Sequence, residues 1–264
     1  MEKSIENALA FEGYTSDLSL AVMKAICSKL KNETLTTLEI GYFKGRTTEI
    51  VLENGSTTHI IIDCVANLNE KHSSSSDKRI IFYKSASRYI EPSIISFFNR
   101  VDYLFIDGGH EKGDLWNDLE LANHLLKEDG ILVVDDIDFS GMPGYPHLIK
   151  TLDDYCDIVG SFVKICLVDC KQMVLCRPSA FIKYYNYLFF DVPKMVYVDI
   201  EKPIAIRPFN KYLFKINNGW EKEYPVKYQP YGDDDNFYLP TKINSNILNS
   251  AFNKTLLKDI FSTQ

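Results

Sequence analysis

The chain has 264 residues, 45% of them hydrophobic and 25% charged, with a formal net charge of −7. That size and composition suit one large globular domain, or a domain with an extension, and the acidic balance argues against a nucleic-acid-binding surface. No apolar run reaches the ~20 residues that span a bilayer. The N-terminus, MEKSIENALAFEG, carries three acids and no signal-peptide core. The expectation is a cytoplasmic protein with neither nucleic acid nor membrane as a partner. Cys27, Cys64, Cys156, Cys166, Cys170 and Cys176 form no CxxC pair and have no histidines at zinc-ligand spacing, so they read as small buried hydrophobes.

In chain order, residues 16–30 place Leu18, Ala21, Val22 and Ala25 on one helical face, with Thr15 or Ser16 as N-cap. Short apolar runs then alternate with helical segments: TTLEI (36–40), THIIID (58–63), RIIFY (79–83), VDYLFID (101–107) and GILVVDD (130–136). Each is rich in β-branched or aromatic residues on both faces, as a parallel strand covered by helices on both sides should be. Between the last two, residues 113–127 carry Leu115, Leu119, Ala122 and Leu126 as one apolar stripe. Such alternation predicts a doubly wound α/β sheet with right-handed crossovers. Ligands of such sheets bind at the carboxyl ends of the strands, where the strand order reverses.

Residues 160–177 break the alternation. GSFVKICLV and QMVLCRP are separated by only Asp169-Cys170-Lys171, too short a link for a parallel return, so one antiparallel strand closes the sheet. Dinucleotide-binding sheets do not normally end this way. Residues 178–264 hold seven of the ten prolines and an aromatic cluster at Tyr184, Tyr185, Tyr187, Phe189 and Phe190. So many aromatics are not left in water, so 178–264 is expected to be an extension packed on the domain 1–177.

Three places at strand ends can carry chemistry. In LEIGYFKGRTTEI (38–50), Gly41 and Gly45 let backbone approach a ligand closely, and the helix starting near Thr47 presents unpaired N–H groups. Phe43 stands where a dinucleotide fingerprint requires its second glycine. Asp63 follows Gly45 by 18 residues, a spacing that suits a ribose-binding carboxylate, although a lone acid there also serves as a helix cap. Asp107 ends the fourth strand, and Asp135 with Asp136 ends the fifth. Adjacent strands lie ~4.8 Å apart, close enough for these oxygens to share Mg²⁺ or another hard cation. The alternative is that Asp135 and Asp136 only line a pocket. His110 has the intrinsic pKa of a general base near neutrality, and a structural role is equally open to it.

The combination resembles the class I S-adenosylmethionine-dependent methyltransferases over residues 15–177. It looks most like the branch with an E-I-G-x-x-x-G-x-S/T turn and a D-G-x-H segment. The resemblance implies a seven-stranded, mostly parallel sheet with an antiparallel last strand. It further implies that Glu39, Gly41, Gly45 and Thr47 surround the methionine part of S-adenosyl-L-methionine and that Asp63 holds the ribose. The loop after the third strand reaches the adenine. That loop usually carries an acid before its serine, and here reads Ala86-Ser87. Some members bind Mg²⁺ through acids matching Asp107, Asp135 and Asp136. The implied activity is O-methylation of a sugar or natural-product-like small molecule, with Asp107 or His110 taking the proton. Metal-dependent hydroxylases share the pattern, and a non-catalytic binding module is the third alternative. Acceptor specificity is expected from residues 1–16, 137–147 and 178–264, and contacts in a homo-oligomer from 178–264. The loop at 137–147 reads either as a mobile lid or as a rigid proline turn.

Overall fold

The computed structural model describes residues 3–31, 34–95, 100–137, 146–169, 171–192, 199–201 and 214–217. Strands β1 (Thr36–Ile40), β2 (Thr58–Ile62), β3 (Ile80–Tyr83), β4 (Val101–Ile106) and β5 (Leu126–Val134) all run parallel. The hairpin strands β6 (Val163–Val168) and β7 (Gln172–Cys176) follow, and β7 inserts between β5 and β6, antiparallel to both. The seven strands lie in the order β3-β2-β1-β4-β5-β7-β6, the mostly parallel sheet with one antiparallel strand that the sequence leads one to expect. Two short strands extend its β6 edge: β9 (Phe214–Asn217) pairs parallel with β6, and β8 (Asp199–Glu201) pairs antiparallel with β9.

Period-two alternation divides the core between two faces. Tyr103, Phe105, Ile131 and Val133 point to the face covered by α2 (Asp17–Leu30) and α6 (Phe181–Asn186). Leu104, Ile106, Leu132 and Val134 point to the face covered by α4 (Lys112–Leu125) and α5 (Pro146–Val159). Helix α2 starts as its sequence indicates, with the Ser16 hydroxyl accepting from the Ser19 N–H at 3.1 Å. Helix α1 (Lys3–Leu9), in a stretch that carries no clear periodicity, buries Ile5 and Ala8 beside α2 and α3 (Arg46–Glu53).

Beyond β7 the aromatic cluster joins the first core. Tyr184, Tyr185, Tyr187 and Leu188 are buried, the Tyr187 hydroxyl donates to the Ala25 carbonyl at 2.6 Å, and Tyr184 donates to that of Asp129. The loop residues 138–145, Cys170 and the Trp- and Tyr-bearing segment 218–236 lie outside the described residues. Among the described residues no helix is long and apolar enough to cross a membrane.

Candidate active site

The strand order reverses between β1 and β4, and there the ladder runs one step past each strand. Gly41 N–H donates to Ile62 O (2.9 Å), Asp63 N–H to Tyr83 O (3.2 Å), Asp107 N–H to Ile40 O (2.8 Å) and Asp135 N–H to Ile106 O (2.8 Å). Parallel register therefore sets Gly41, Asp63, Asp107 and Asp135 in one row along the carboxyl edge. At the centre of that row Gly41 has φ +91°, and a Cβ there would lie 1.8 Å from the Asp107 carbonyl oxygen. Only glycine combines that φ with that contact. Gly45 caps α3 at φ +86°, where a Cβ would lie 2.4 Å from the His72 ring. Both glycines are thus required by the protein's own packing.

On the β1–β2 side the polar atoms are held by the protein. Glu39 is buried, and its carboxylate accepts from the hydroxyls of Thr47 and Thr48 (2.5 Å to Thr48) and lies 3.2 Å from His59 Nε2. The sequence marks Glu39 and Thr47 as cofactor contacts. The structure places their polar atoms against each other at the base of the turn. The Asp63 carboxylate accepts from the N–H groups of Tyr42 (2.8 Å), Val65 (2.7 Å) and Ala66 (2.7 Å). With about four acceptor sites per carboxylate, roughly one remains for a ribose hydroxyl. Arg46 donates to the carbonyls of Phe11 and Thr15, fastening that segment over the turn. Beside it the exposed Tyr14 ring stacks on Phe43, a non-glycine residue at φ +48°.

Ser87 opens a 3₁₀ turn (Ser87–Tyr89) beyond β3. Near it lies an acid that sequence reasoning passed over. Asp118 of α4 is 1% exposed, and neither of its carboxyl oxygens has a hydrogen-bond partner among the described residues. Burial pushes its pKa up to about 7; the Ser87 hydroxyl approaches the carboxyl and pulls the other way, but falls short of hydrogen-bond geometry. A Cβ on Gly108 would stand 3.0 Å from its Oδ2, so this orphaned carboxyl lies directly beneath the D-G-G-H loop. The signal was present in the sequence: Asp118 shares the apolar stripe with Leu115 and Ala122 at helical spacing.

The β4–β5 side gathers charge instead. Asp107 and Asp136 come together with His110, and one ligand atom from each lies within 4.8 Å of the others. Asp135, expected with them as a third metal ligand, stands outside that group. The Asp135 side chain has no exposure, and its Oδ2 meets Lys171 Nζ and Gln172 Nε2, each at 3.3 Å. Lys171 Nζ also lies 3.3 Å from Asp136 Oδ1, and His110 Nε2 lies 3.0 Å from Asp136 Oδ2. The register explains this. Val134 pairs with Met173 in an antiparallel ladder, so Asp135 comes opposite Gln172 and Asp136 opposite Lys171. The Ile137 N–H donates to the Lys171 carbonyl at 2.9 Å, which fixes the hairpin turn against this segment.

The charges perturb one another. Burial raises Asp107 well above the ordinary carboxyl range, reinforced by Asp135 and opposed by Lys171. Asp135 is pushed up to about 6 by burial, again against Lys171. For Asp136, burial acts upward, but the His110 bond and Lys171 prevail and hold its pKa below the ordinary value. The Asp136 bond raises His110 despite partial burial. Burial alone would lower Lys171, yet Asp135, Asp136 and Asp107 together raise it. An imidazole whose protonated form is favoured in this way donates a hydrogen bond more readily than it removes a proton. The hairpin link was visible in the sequence, but the register that aims Lys171 at two aspartates was not.

Residues 38–137 match a family model described as a methyltransferase domain. The chain is 28% identical over 135 residues to the uncharacterized protein R132 of Acanthamoeba polyphaga mimivirus. That match spans 47% of this chain and 61% of that protein, less than two thirds of its length. Among solved structures, a Corynebacterium glutamicum protein is similar at 15% identity and a TM-score of 0.52, and cofactor-bound Rv0187 from MTB at 15% and 0.50. Each of these two matches covers 67% of this chain and 90% of the other. The likeness to both is one of fold.

Proposed function

We propose that this chain is an S-adenosyl-L-methionine-dependent methyltransferase acting on a hydroxyl of a sugar or natural-product-like small molecule. The observation that carries the reading is the row of Gly41, Asp63, Asp107 and Asp135 at the point where the strand order reverses, within the stretch that matches the methyltransferase-domain model. Residues at that edge fit the cofactor. Gly41 and Gly45 keep side chains out of the turn, Asp63 retains an acceptor site beside it, and the orphaned Asp118 lies near Ser87, the residue expected at the adenine.

When bound, the sulfonium cofactor supplies an electrophilic methyl group that already carries its leaving group. The protein's part is then positioning and proton management. Asp107 is the residue we assign as proton acceptor. Burial makes its ionised form a stronger base, and its carboxyl stands beside His110 and Asp136 at the open edge. His110, held toward Asp136, orients the acceptor hydroxyl by donating to it. The Tyr14–Phe43 stack at the rim offers an aromatic face of the kind that packs against sugar rings.

Calorimetric titration with S-adenosyl-L-methionine tests the reading. Binding is expected in the wild type. Asp63→Ala is expected to weaken it by about 1–3 kcal/mol, the loss of a charge-assisted hydrogen bond to ribose. Absence of binding to the folded wild type, or unchanged affinity in a folded Asp63→Ala, would overturn it. Thermal melts run alongside separate this from the loss of the three backbone bonds that Asp63 accepts.

A further inference from the structure

We propose that Lys171 takes the place of a divalent cation at this edge, its tethered ammonium bridging Asp135 and Asp136 so that the site works without a metal. This rests on the reading of the β4–β5 side as the reaction centre, although its test requires no turnover.

A divalent cation between strand-end carboxylates does three things. It neutralises acids that adjacent strands force together, fixes their rotamers and polarises a hydroxyl placed against them. Lys171 meets the first two requirements. Its Nζ stands 3.3 Å from an oxygen of each aspartate, and its side chain is only 15% exposed, so solvent screens the pairs weakly. Its placement is built in. The β5–β7 register sets residue 171 opposite residue 136, and the Ile137 N–H bond to the Lys171 carbonyl locks the two backbones together. Both segments turn through aspartates at positive φ, Asp136 at 57° and Asp169 at 52°. Such conformations are uncommon outside glycine and persist where surrounding structure imposes them.

The same geometry works against a metal. Three carboxylates, Asp107, Asp135 and Asp136, face Lys171, and His110 already binds the remaining oxygen of Asp136. The donor atoms of Asp107, His110 and Asp136 are close enough to ligate an ion. An ion there would sit within a few ångströms of the ammonium, and one of its ligands would have to serve both charges. At such distances like charges repel strongly in a poorly solvated pocket. Lys171 is thus a positioning residue that also excludes a divalent competitor.

The experiment is a Mn²⁺ titration of the full chain, followed by the loss of the free-ion electron paramagnetic resonance signal. It is run on the wild type, on Lys171→Gln and on Lys171→Arg, with a melting temperature for each. The wild type is expected to bind Mn²⁺ only in the millimolar range, as weak oxygen-ligand sites do. Lys171→Gln removes the charge while keeping a donor near both aspartates, and is expected to bind at least about tenfold more tightly, roughly 1.4 kcal/mol. Lys171→Arg keeps the charge and is expected to stay as weak as the wild type. Equal Mn²⁺ affinity in wild type and Lys171→Gln overturns the inference, because a purely structural lysine would leave metal affinity unchanged. So does micromolar binding by the wild type, which decides the matter even where Lys171→Gln fails to fold. Neither result touches the cofactor titration, and absent cofactor binding leaves the Mn²⁺ comparison readable.

Discussion

The two sides of the carboxyl edge are built on the same ladder and treat their charges in opposite ways. On the β1–β2 side, Glu39 and Asp63 are ringed by partners from the neighbouring turns, α3 and β2: Thr47, Thr48, His59 and three backbone N–H groups. On the β4–β5 side three carboxylates crowd together, Asp107 and Asp135 are pushed upward by burial, and balance comes from Lys171 and His110 on other segments. A satisfied network holds a shape, because each buried polar atom is costly to move. A crowded one stores charge that a bound hydroxyl or proton can relieve, and strongly perturbed groups of this kind cluster at functional sites. On the function proposed above, the difference makes the first side the scaffold of the site and the second its reactive part.

The largest effect is expected where the two sides meet. Gly41→Ala puts a methyl group 1.8 Å from the Asp107 carbonyl oxygen, backbone that has no room to retreat within the β1–β4 ladder. The left-handed φ of +91° adds roughly 1–2 kcal/mol for any residue with a Cβ. Loss of more than about 4 kcal/mol is expected, in the range reserved for severe structural conflicts, and is read as a fall in urea midpoint or in soluble yield. Gly113→Ala is the control. Among the described residues no atom beyond its chain neighbours and its own helix backbone lies within 4 Å of a Cβ placed there, and alanine favours the helix, so that variant should match or exceed the wild type. Equal stability of the two variants would mean that the sides are not joined at Gly41.

Much of this edge was legible in the sequence. The short apolar runs located all five parallel strands, because a strand buried on both faces must be apolar throughout. The three-residue link at 169–171 forced the antiparallel hairpin, and Asp63, Asp107, Asp135 and Asp136 fell at strand ends where expected. What could not be read was partnership. Whether Glu39 faces a ligand or two threonines depends on the rotation of α3 over β1. Whether Asp135 faces a metal or Lys171 depends on the β5–β7 register, which brings back a residue 36 positions along the chain. Helix α1 went unseen because seven residues give too little periodicity to register. Asp118 went unseen because a single acid in an apolar stripe looks like noise until its burial is known.

The next effect has the opposite sign to a lost contact. The Asp118 pKa rises from the ordinary 3.8 to about 7, with burial as the main cause. The folded protein therefore holds a proton that the unfolded chain releases. Stability on this account is greatest below about pH 4, declines as pH rises toward 7 and stays reduced above it. That interval corresponds to on the order of 4 kcal/mol at most, at 1.36 kcal/mol per pH unit. Asp118→Asn removes the titration. It is expected to exceed the wild type by a few kcal/mol at pH 8 and to converge with it near pH 4, measured by urea denaturation at both values. A wild-type advantage at pH 8 would show that the carboxylate is satisfied there as an anion, and would move Asp118 to the scaffold side of the comparison.

The smallest effect is expected from Thr48→Val, which tests whether the satisfied side is scaffold alone. Thr48 is fully buried in the first turn of α3, and its hydroxyl donates to Glu39 Oε2 at 2.5 Å, with His59 Nε2 3.3 Å away. Valine keeps the β-branched shape and nearly the same χ1 limits, so packing is preserved and only the polar contact is lost. Glu39 Oε2 then relies on His59 alone, at 3.2 Å. A buried hydrogen bond to a charged group contributes about 1.5–3 kcal/mol. The remaining histidine contact offsets part of that, so a loss of about 1–2 kcal/mol in unfolding free energy is expected. Cofactor affinity in the folded variant should change less than twofold, since the Thr48 hydroxyl is turned inward to Glu39 and away from the edge. A Thr48→Val protein of unaltered stability but weakened cofactor binding would reverse the assignment: Glu39 would then be a ligand contact tuned by Thr48, and the β1–β2 side would share in the chemistry.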